Sequence, residues 1–208
     1  MSKILQGLKF TFYIYSHPFD GFWIMKSEKK GNLPTAFALF VLMVFTTVYR
    51  IVGPGYLFES ATLNQFSPWI LALVLAVLIL LYCICNWALT TLIGGSANIS
   101  QIFMAVMYAL TPIMLFNVPV TILCNFFVLK EATFITFFTV LSFIWALFLM
   151  LVSNSVIHEF TFLKSILTFI VTLAGMVFAI ILGLFFFYIV QQFFVWLGQI
   201  FKELSYRF

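Results

Sequence analysis

The chain has 208 residues, of which 64% are hydrophobic and only 8% are charged, and its mean hydropathy is +1.18. Soluble domains carry roughly 25% charged residues and leave much of their surface in water, so this composition excludes a water-soluble protein and predicts an integral membrane protein. The formal charge of +4 comes from cations that flank apolar runs. It does not form a dense basic face, which excludes nucleic acid as a partner.

Residues 1–33 are predicted to form a cytoplasmic segment at the membrane interface. The stretch SHPFDGFWIMKSEKKGNLP (16–34) is predicted to contain a short helix that begins at Pro18, because proline suits a first helical position, with Ser16 or His17 as its cap. Upstream apolar residues also recur at helical spacing, so the segment is predicted to hold one or two amphipathic helices. Three aromatic residues at i, i+3 and i+4 share one face of the helix that begins at Pro18: Phe19, Phe22 and Trp23.

Five of the ten Lys and Arg residues lie in this segment. Basic and aromatic residues before a span usually hold it in place and contact anionic headgroups, and such anchoring is one of two interpretations. The other is that the segment binds a partner. The candidate residues are His17, Pro18, Phe19, Phe22, Trp23, Lys26 and Lys30.

Five apolar runs follow, each long enough to cross a hydrocarbon core of about 30 Å, which needs about 20 residues. The runs are continuous rather than alternating, which indicates helices and excludes a strand barrel. The predicted fold is therefore all-α, a polytopic membrane protein with one five-helix domain over residues 34–208. The predicted spans are residues 34–52, 68–93, 102–129, 132–152 and 165–196.

Lys and Arg residues near the ends of spans set the orientation of a membrane protein. With the N-terminus inside, six of these residues lie inside and four outside. The N-terminal cluster usually dominates, so the N-terminus is predicted to be cytoplasmic and the C-terminus to lie outside. Heavy use of Ile, Phe and Lys with only two Arg indicates a bacterial cell membrane.

Polar but uncharged residues mark the second and third predicted spans, and two prolines interrupt the hydrogen-bond ladder of the third. Polar stripes on neighbouring helices either hydrogen-bond to each other or line a path for a neutral solute, as broken helices do in some transporters. The predicted spans carry no charged residue at depth, which argues against an ion-driven pump. The residues concerned are Tyr82, Asn86, Tyr108, Pro112, Asn117 and Pro119.

The sequence contains no arrangement typical of an enzyme or a metal site. His17 and His158 are its two histidines, and neither belongs to a zinc-type motif. A nucleophile elbow and a phosphate-binding glycine loop are also absent from the sequence. We therefore predict no catalytic residue, no metal and no cofactor, and we expect His158 and Glu159 to form a polar loop at the headgroups.

Two stretches of the sequence carry distinctive patterns. The first is SHPFDGFWIMKSEKKGNL (16–33), a His-Pro-Phe start followed by an aromatic helix and basic residues. The second is LIGGSANISQIFMAVMYALTPIML (92–115), a Gly-rich loop followed by a helix with a Tyr-x-x-x-Pro pattern. Together they resemble the Yip family of five-span membrane proteins, and specifically its bacterial branch. The positions that match are His17, Pro18, Phe19, Gly94, Gly95, Tyr108 and Pro112.

The resemblance implies five spans, a cytoplasmic N-terminus and interaction with other membrane proteins. Eukaryotic members bind Rab-type small GTPases, but their Asp-Leu-x-Gly-Pro motif is not found ahead of the first span, so GTPase binding is not carried over. The resulting prediction is a non-enzymatic membrane adaptor or organiser that contacts membrane lipids and binds another membrane protein or a second copy of itself. The alternative is a carrier, channel or transporter accessory subunit for a neutral solute.

Overall fold

The computed structural model describes residues 3–28, 31–53, 67–128 and 131–207, and the regular elements in these ranges are helices. Lys30, one of the predicted site residues, lies outside the described residues. The helices are α1 (Lys3–Ser16), α2 (Pro18–Ser27), α3 (Leu33–Val52), α4 (Pro68–Leu92), α5 (Ile99–Ala109), α6 (Thr111–Cys124), α7 (Ala132–His158) and α8 (Phe162–Arg207).

Within the described ranges, five helical segments are long and apolar enough to cross a membrane: α3, α4, α5 together with α6, α7, and α8. This confirms the polytopic all-α fold that the sequence predicts. Local sequence explains several helix ends. Both α3 and α4 carry a proline in the first turn, where its missing N–H has no helical partner to lose. The chain leaves α4 through Gly94, whose φ of 88° is a left-handed conformation that glycine adopts without strain.

One end of the bundle carries Lys26, the 93–98 loop and Glu159, which are joined by hydrogen bonds; we call it the Lys26 end. The helices α3, α5 and α8 begin at the Lys26 end, whereas α4 and α7 finish there, so the C-terminal part of α8 reaches the opposite end. The most enclosed helix is α5, where three successive residues are 0% exposed: Met107, Tyr108 and Ala109.

The third span is broken at Leu110, between α5 and α6. Pro112 lies in the first turn of α6 and cannot donate to the carbonyl of Tyr108. That carbonyl instead accepts a 2.6 Å hydrogen bond from Thr111 Oγ1. The interruption therefore occurs where Pro112 predicts it, whereas α6 continues through Pro119.

The helices α1 and α2 form a hairpin, the N-terminal hairpin, which turns at His17 and packs along the spans. Near the Lys26 end, Gly7 lies directly against Thr35 in the first turn of α3. Eight residues later, about 12 Å along a helix, the ring of Tyr15 lies 5.6 Å from that of Trp145, in the middle of α7. The hairpin therefore packs between α3 and α7, and its predicted position at the membrane interface stays a prediction.

Burial of apolar side chains explains this packing. The face of the hairpin that meets the spans is closed to solvent, with Ile14 and Phe22 both 0% exposed and Met25 4% exposed. On the outer face of α2, Phe19 and Trp23 are 51% and 55% exposed. The aromatic face predicted for this helix is thus divided, because Phe22 and Trp23 are successive residues and point about 100° apart.

The last helix is longer than a bilayer requires. Its 46 residues rise about 69 Å, roughly twice the thickness of the hydrocarbon core. Near the Lys26 end, α8 packs on α4 and α7, and Phe169 and Thr172 are buried there. From Val177 onwards, the described side chains of α8 are exposed or half-buried. The predicted span 165–196 falls within this single helix.

The close contact between α1 and α2 predicts that an added methyl group destabilises the protein at Gly21 but not at Gly183. A Cβ atom at Gly21 would lie 2.8 Å from Ile14 Cγ1 and 2.9 Å from Ile14 Cα, so we expect Gly21→Ala to lower the free energy of unfolding by about 1–3 kcal/mol through forced displacement. The measurement is thermal unfolding of the detergent-solubilised protein. Gly183→Ala is the control, because nothing lies within 4 Å of a Cβ atom there. Equal melting temperatures for the two variants would contradict the hairpin packing.

Candidate functional site

A cluster of buried polar side chains, the Asn86 cluster, joins three of the spans near the Lys26 end. Asn86 of α4 is 1% exposed, and its Oδ1 lies 3.0 Å from Nε2 of His158 at the end of α7. Because an amide oxygen only accepts, the histidine donates through Nε2. The amide nitrogen of Asn86 donates to Asn154 Oδ1 at 3.2 Å and to Thr172 Oγ1 at 3.4 Å. One side chain thus connects α4 to both α7 and α8.

Asn154 extends the cluster from α7 into α8. Its Nδ2 lies within hydrogen-bond distance of Ser165 Oγ at 3.2 Å and Thr168 Oγ1 at 3.0 Å, and also of the Ser165 carbonyl at 3.2 Å. Ser165 in turn donates to the carbonyl of Leu151 at 2.9 Å. These buried groups satisfy one another, which is the arrangement that holds helices together where water is absent.

His158 closes the cluster towards the 93–98 loop. It is 3% exposed and stacks on Phe160, with ring centroids 5.4 Å apart. Its Nδ1 has no hydrogen-bond partner among the described residues, and a Cβ atom at Gly95 would lie 2.7 Å from that nitrogen. A glycine at position 95 therefore lets the loop backbone close over the ring. The expectation that His158 forms a polar loop at the headgroups is wrong, because α7 continues to this residue and buries it.

The free space in the cluster is small. A cavity of about 10 Å³ is bordered by Tyr82, Asn86 and His158, among others, and this is about the room that one water molecule needs. Tyr82 is 7% exposed and packs against Phe169, with ring centroids 6.2 Å apart. The cluster is therefore a packed junction between helices and not an open channel.

Lys26 forms a clamp between the N-terminal hairpin and the Lys26 end of the bundle. Its Nζ donates to Glu159 Oε1 at 2.6 Å, to the Ile157 carbonyl at 2.7 Å and to Ser96 Oγ at 2.9 Å. An ammonium group has three protons, so this clamp uses its full donor capacity. The hydrogen bond and the positive charge of Lys26 both lower the pKa of the exposed Glu159 carboxyl.

The other candidate residues of the N-terminal segment lie at the hairpin turn and on the outer face of α2. The His17 ring stacks on Tyr13 at 5.2 Å, and its Nδ1 lies 3.0 Å from Ser16 Oγ. Pro18 begins α2. The structure therefore separates the predicted set: Phe22 and Lys26 make internal contacts, whereas His17, Phe19 and Trp23 remain exposed.

The polar residues predicted along the second and third spans do not meet. The side-chain partners of Asn86 come from α7 and α8, whereas Asn117 lies half-buried on α6, where its carbonyl accepts a 2.7 Å hydrogen bond from Thr121. Tyr108 lies in the core beside Phe10, with ring centroids 6.1 Å apart. Pro119 is exposed on α6.

Sequence reasoning missed the partners of Asn86 in the last two spans. A signal was present, because Ser165, Thr168 and Thr172 recur at i, i+3 and i+7 and therefore share one helical face. Asn154 had no such pattern around it. Among the described residues, no group of three His, Cys, Asp or Glu side chains comes together that could hold a metal ion.

The five long apolar helices and the hydrogen bonds that join three of them at the Asn86 cluster define a multi-pass helical membrane protein. A family model described as the Yip1 domain matches residues 12–185, a range that begins in α1 and ends within α8. The chain belongs to the Yip1 domain family, as the sequence resemblance implies. Its placement in the bacterial branch stays a prediction. No curated protein and no solved structure matches the chain.

The Asn86 cluster predicts unequal effects of two asparagine substitutions. Asn86→Leu removes the partner of His158 Nε2 and of Asn154 Oδ1, and we expect it to lower the free energy of unfolding by about 1–3 kcal/mol because buried polar groups are left unpaired. Asn117→Leu is the matched control, because Asn117 is only half-buried. Thermal unfolding in detergent measures both. A larger loss for Asn117→Leu would contradict the assigned role of Asn86.

The clamp predicts that docking of α2 depends on pH. A carboxyl whose pKa is lowered by folding contributes stability above its ordinary pKa of 4.5, and this contribution is lost as the pH falls through the lower pKa of the folded state. We therefore expect backbone amides of α2 to lose hydrogen-exchange protection below about pH 4.5, read by mass spectrometry. In Glu159→Gln this pH dependence should disappear. An unchanged acid response in that variant would assign it to another group.

Proposed function

We propose that this Yip1 domain protein is a non-enzymatic membrane adaptor that binds another membrane protein through the outer face of α2. One observation carries the proposal: α2 is fixed from behind by Phe22 and Lys26, while Phe19 and Trp23, one helical turn apart, remain exposed. Large aromatic side chains on a rigid support are typical of the residues that dominate binding energy at protein interfaces.

The position of this face along the spans supports a partner within the membrane. Trp23 precedes Lys26 by three residues, about 4.5 Å of helix, which suits the tryptophan belt at the edge of a bilayer. Asp20 and His17 are also exposed and lie further along the spans from the Lys26 end. Lipid chains cannot hydrogen-bond to these side chains, whereas polar groups of a protein partner can. A second copy of the chain is one such partner.

The proposed orientation places the Lys26 end in the cytoplasm and the end of α8 outside. With this orientation, six Lys and Arg residues lie on the cytoplasmic side and four on the other, in the direction of the positive-inside rule. The hairpin would then insert from the cytoplasmic leaflet of what we propose is a bacterial cell membrane. The lipid-exposed apolar surfaces of the spans provide the contact with membrane lipids.

The transport alternative receives less support from the geometry. A path past Asn86 and Asn117 would need these residues to border one continuous space, but the cavity at Asn86 measures about 10 Å³ and does not include Asn117. Separately, the Yip1 domain is not a known enzyme family, which supports the non-enzymatic part of the proposal. The hydrogen bonds of the Asn86 cluster account for the polar residues of α4 as contacts between helices.

The adaptor proposal is tested by photocrosslinking in intact cells from a photoreactive side chain at Trp23, with adducts identified by mass spectrometry. We expect a discrete protein adduct that disappears when Pro18 and Asp20 are replaced, because these residues shape the outer face of α2. The same photoreactive side chain at Leu80 is the control, since Leu80 of α4 is 53% exposed on another side of the bundle.

The identity of the adducts decides the outcome. A protein crosslinked from position 23 but not from position 80 supports the adaptor function and names the partner, including a second copy if the adduct has twice the mass. Adducts to lipid alone at both positions would refute the proposed partner site and reduce α2 to a membrane anchor.

A further inference from the structure

A large apolar groove runs between the N-terminal hairpin and the spans α3 and α6. Its volume is about 560 Å³, within the usual range for sites that hold small molecules. One wall is α1, with Leu8 and Phe12, and the opposite walls are α3, with Leu42, and α6, with Leu115 and Val118. The groove thus lies between α1 and these two spans.

Most of the lining is apolar, and four lining residues carry a hydroxyl group: Thr11, Tyr15, Thr46 and Thr111. The three threonines each donate to a main-chain carbonyl three or four residues earlier: Thr11 to Gly7 at 3.1 Å, Thr46 to Met43 at 3.1 Å and Thr111 to Tyr108 at 2.6 Å. A ligand in the groove therefore meets mainly methyl groups, aliphatic chains and rings. This chemistry favours an apolar occupant.

The groove is continuous with the lipid-facing surface. Its rim residues Phe12, Leu42 and Leu115 are 64%, 42% and 47% exposed, and they lie beside the middle portions of two membrane-spanning helices. At this depth the surrounding medium is hydrocarbon. An empty space of this size would deprive its walls of dispersion contacts, so the medium that reaches the rim also fills the groove.

We propose that this groove binds one acyl chain of a bilayer lipid, held between α1, α3 and α6 as a distinct site rather than as part of the mobile lipid surface. Such a chain gains little from leaving its neighbours, because lipid tails are as apolar as leucine. Selectivity comes from shape and contact instead. The chain supports the face of α1 that carries Leu8 and Phe12, so it contributes to the position of the N-terminal hairpin. The site does not depend on the adaptor function.

The test uses purified full-length protein in liposomes that contain a phospholipid with a photoreactive group in its acyl chain. Labelled peptides are mapped by mass spectrometry. We expect the labels around Leu42 and Leu115 to exceed those around two exposed control positions, Leu80 and Leu173, by about threefold or more. A threefold preference is about half of a tenfold step in affinity on a logarithmic scale.

Filling the groove provides the matched comparison. Leu115→Trp should lower labelling around Leu42 to the level of the control positions, whereas Leu80→Trp, the same change on an exposed surface of α4, should leave it unchanged. Val118→Phe fills the same space with a smaller change and is used if Leu115→Trp does not fold. Groove labelling equal to that of the controls, or unaffected by the filled variant that folds, would overturn the proposal.

Discussion

Where no water is available, a polar side chain must find its hydrogen-bond partners within the protein, and the arrangement of the spans depends on how this requirement is met. Asn86 satisfies it for three helices together, through His158, Asn154 and Thr172. Apolar contacts give little preference for one helix neighbour over another in lipid. The directional bonds of the Asn86 cluster therefore set which faces of α4, α7 and α8 meet. His158 also contacts the 93–98 loop at Gly95, so the cluster helps to position that loop.

The Lys26 clamp fixes the N-terminal hairpin, which is not one of the five candidate spans, to the same end of the bundle. Lys26 donates hydrogen bonds to Ser96, Ile157 and Glu159 and so holds the end of α2 against the 93–98 loop and the end of α7. One turn earlier in α2, Phe22 is buried in the core. The outer face of α2 is consequently presented by a helix that is fixed at two positions, Phe22 and Lys26. The hairpin also borders an apolar groove, so the position of α1 depends on protein and hydrocarbon contacts together.

The sequence predicts those features that follow from local chemistry. Runs of apolar residues specify the spans, and Pro112 specifies the break after Leu110. The packing of the N-terminal hairpin could not be predicted in this way, because a stripe of apolar residues is the same whether its neighbour is a lipid headgroup or another helix. The division between Phe22 and Trp23 depends on that neighbour. The burial of His158 likewise depends on Asn86, 72 residues earlier, and on the absence of a side chain at Gly95.

The bond between Lys26 and the Ile157 carbonyl joins residues that are 131 positions apart. At a synthesis rate of about 5–20 residues per second, roughly 7–26 s pass between the appearance of the lysine on the ribosome and that of its acceptor. The N-terminal hairpin is made early but acquires its native closure late, after α7 has been synthesised. Until α7 has been synthesised, the apolar face of α2, with Phe22 and Met25, lacks the helix that it packs against. We therefore expect the hairpin to lie at the membrane surface during this time, as amphipathic helices do.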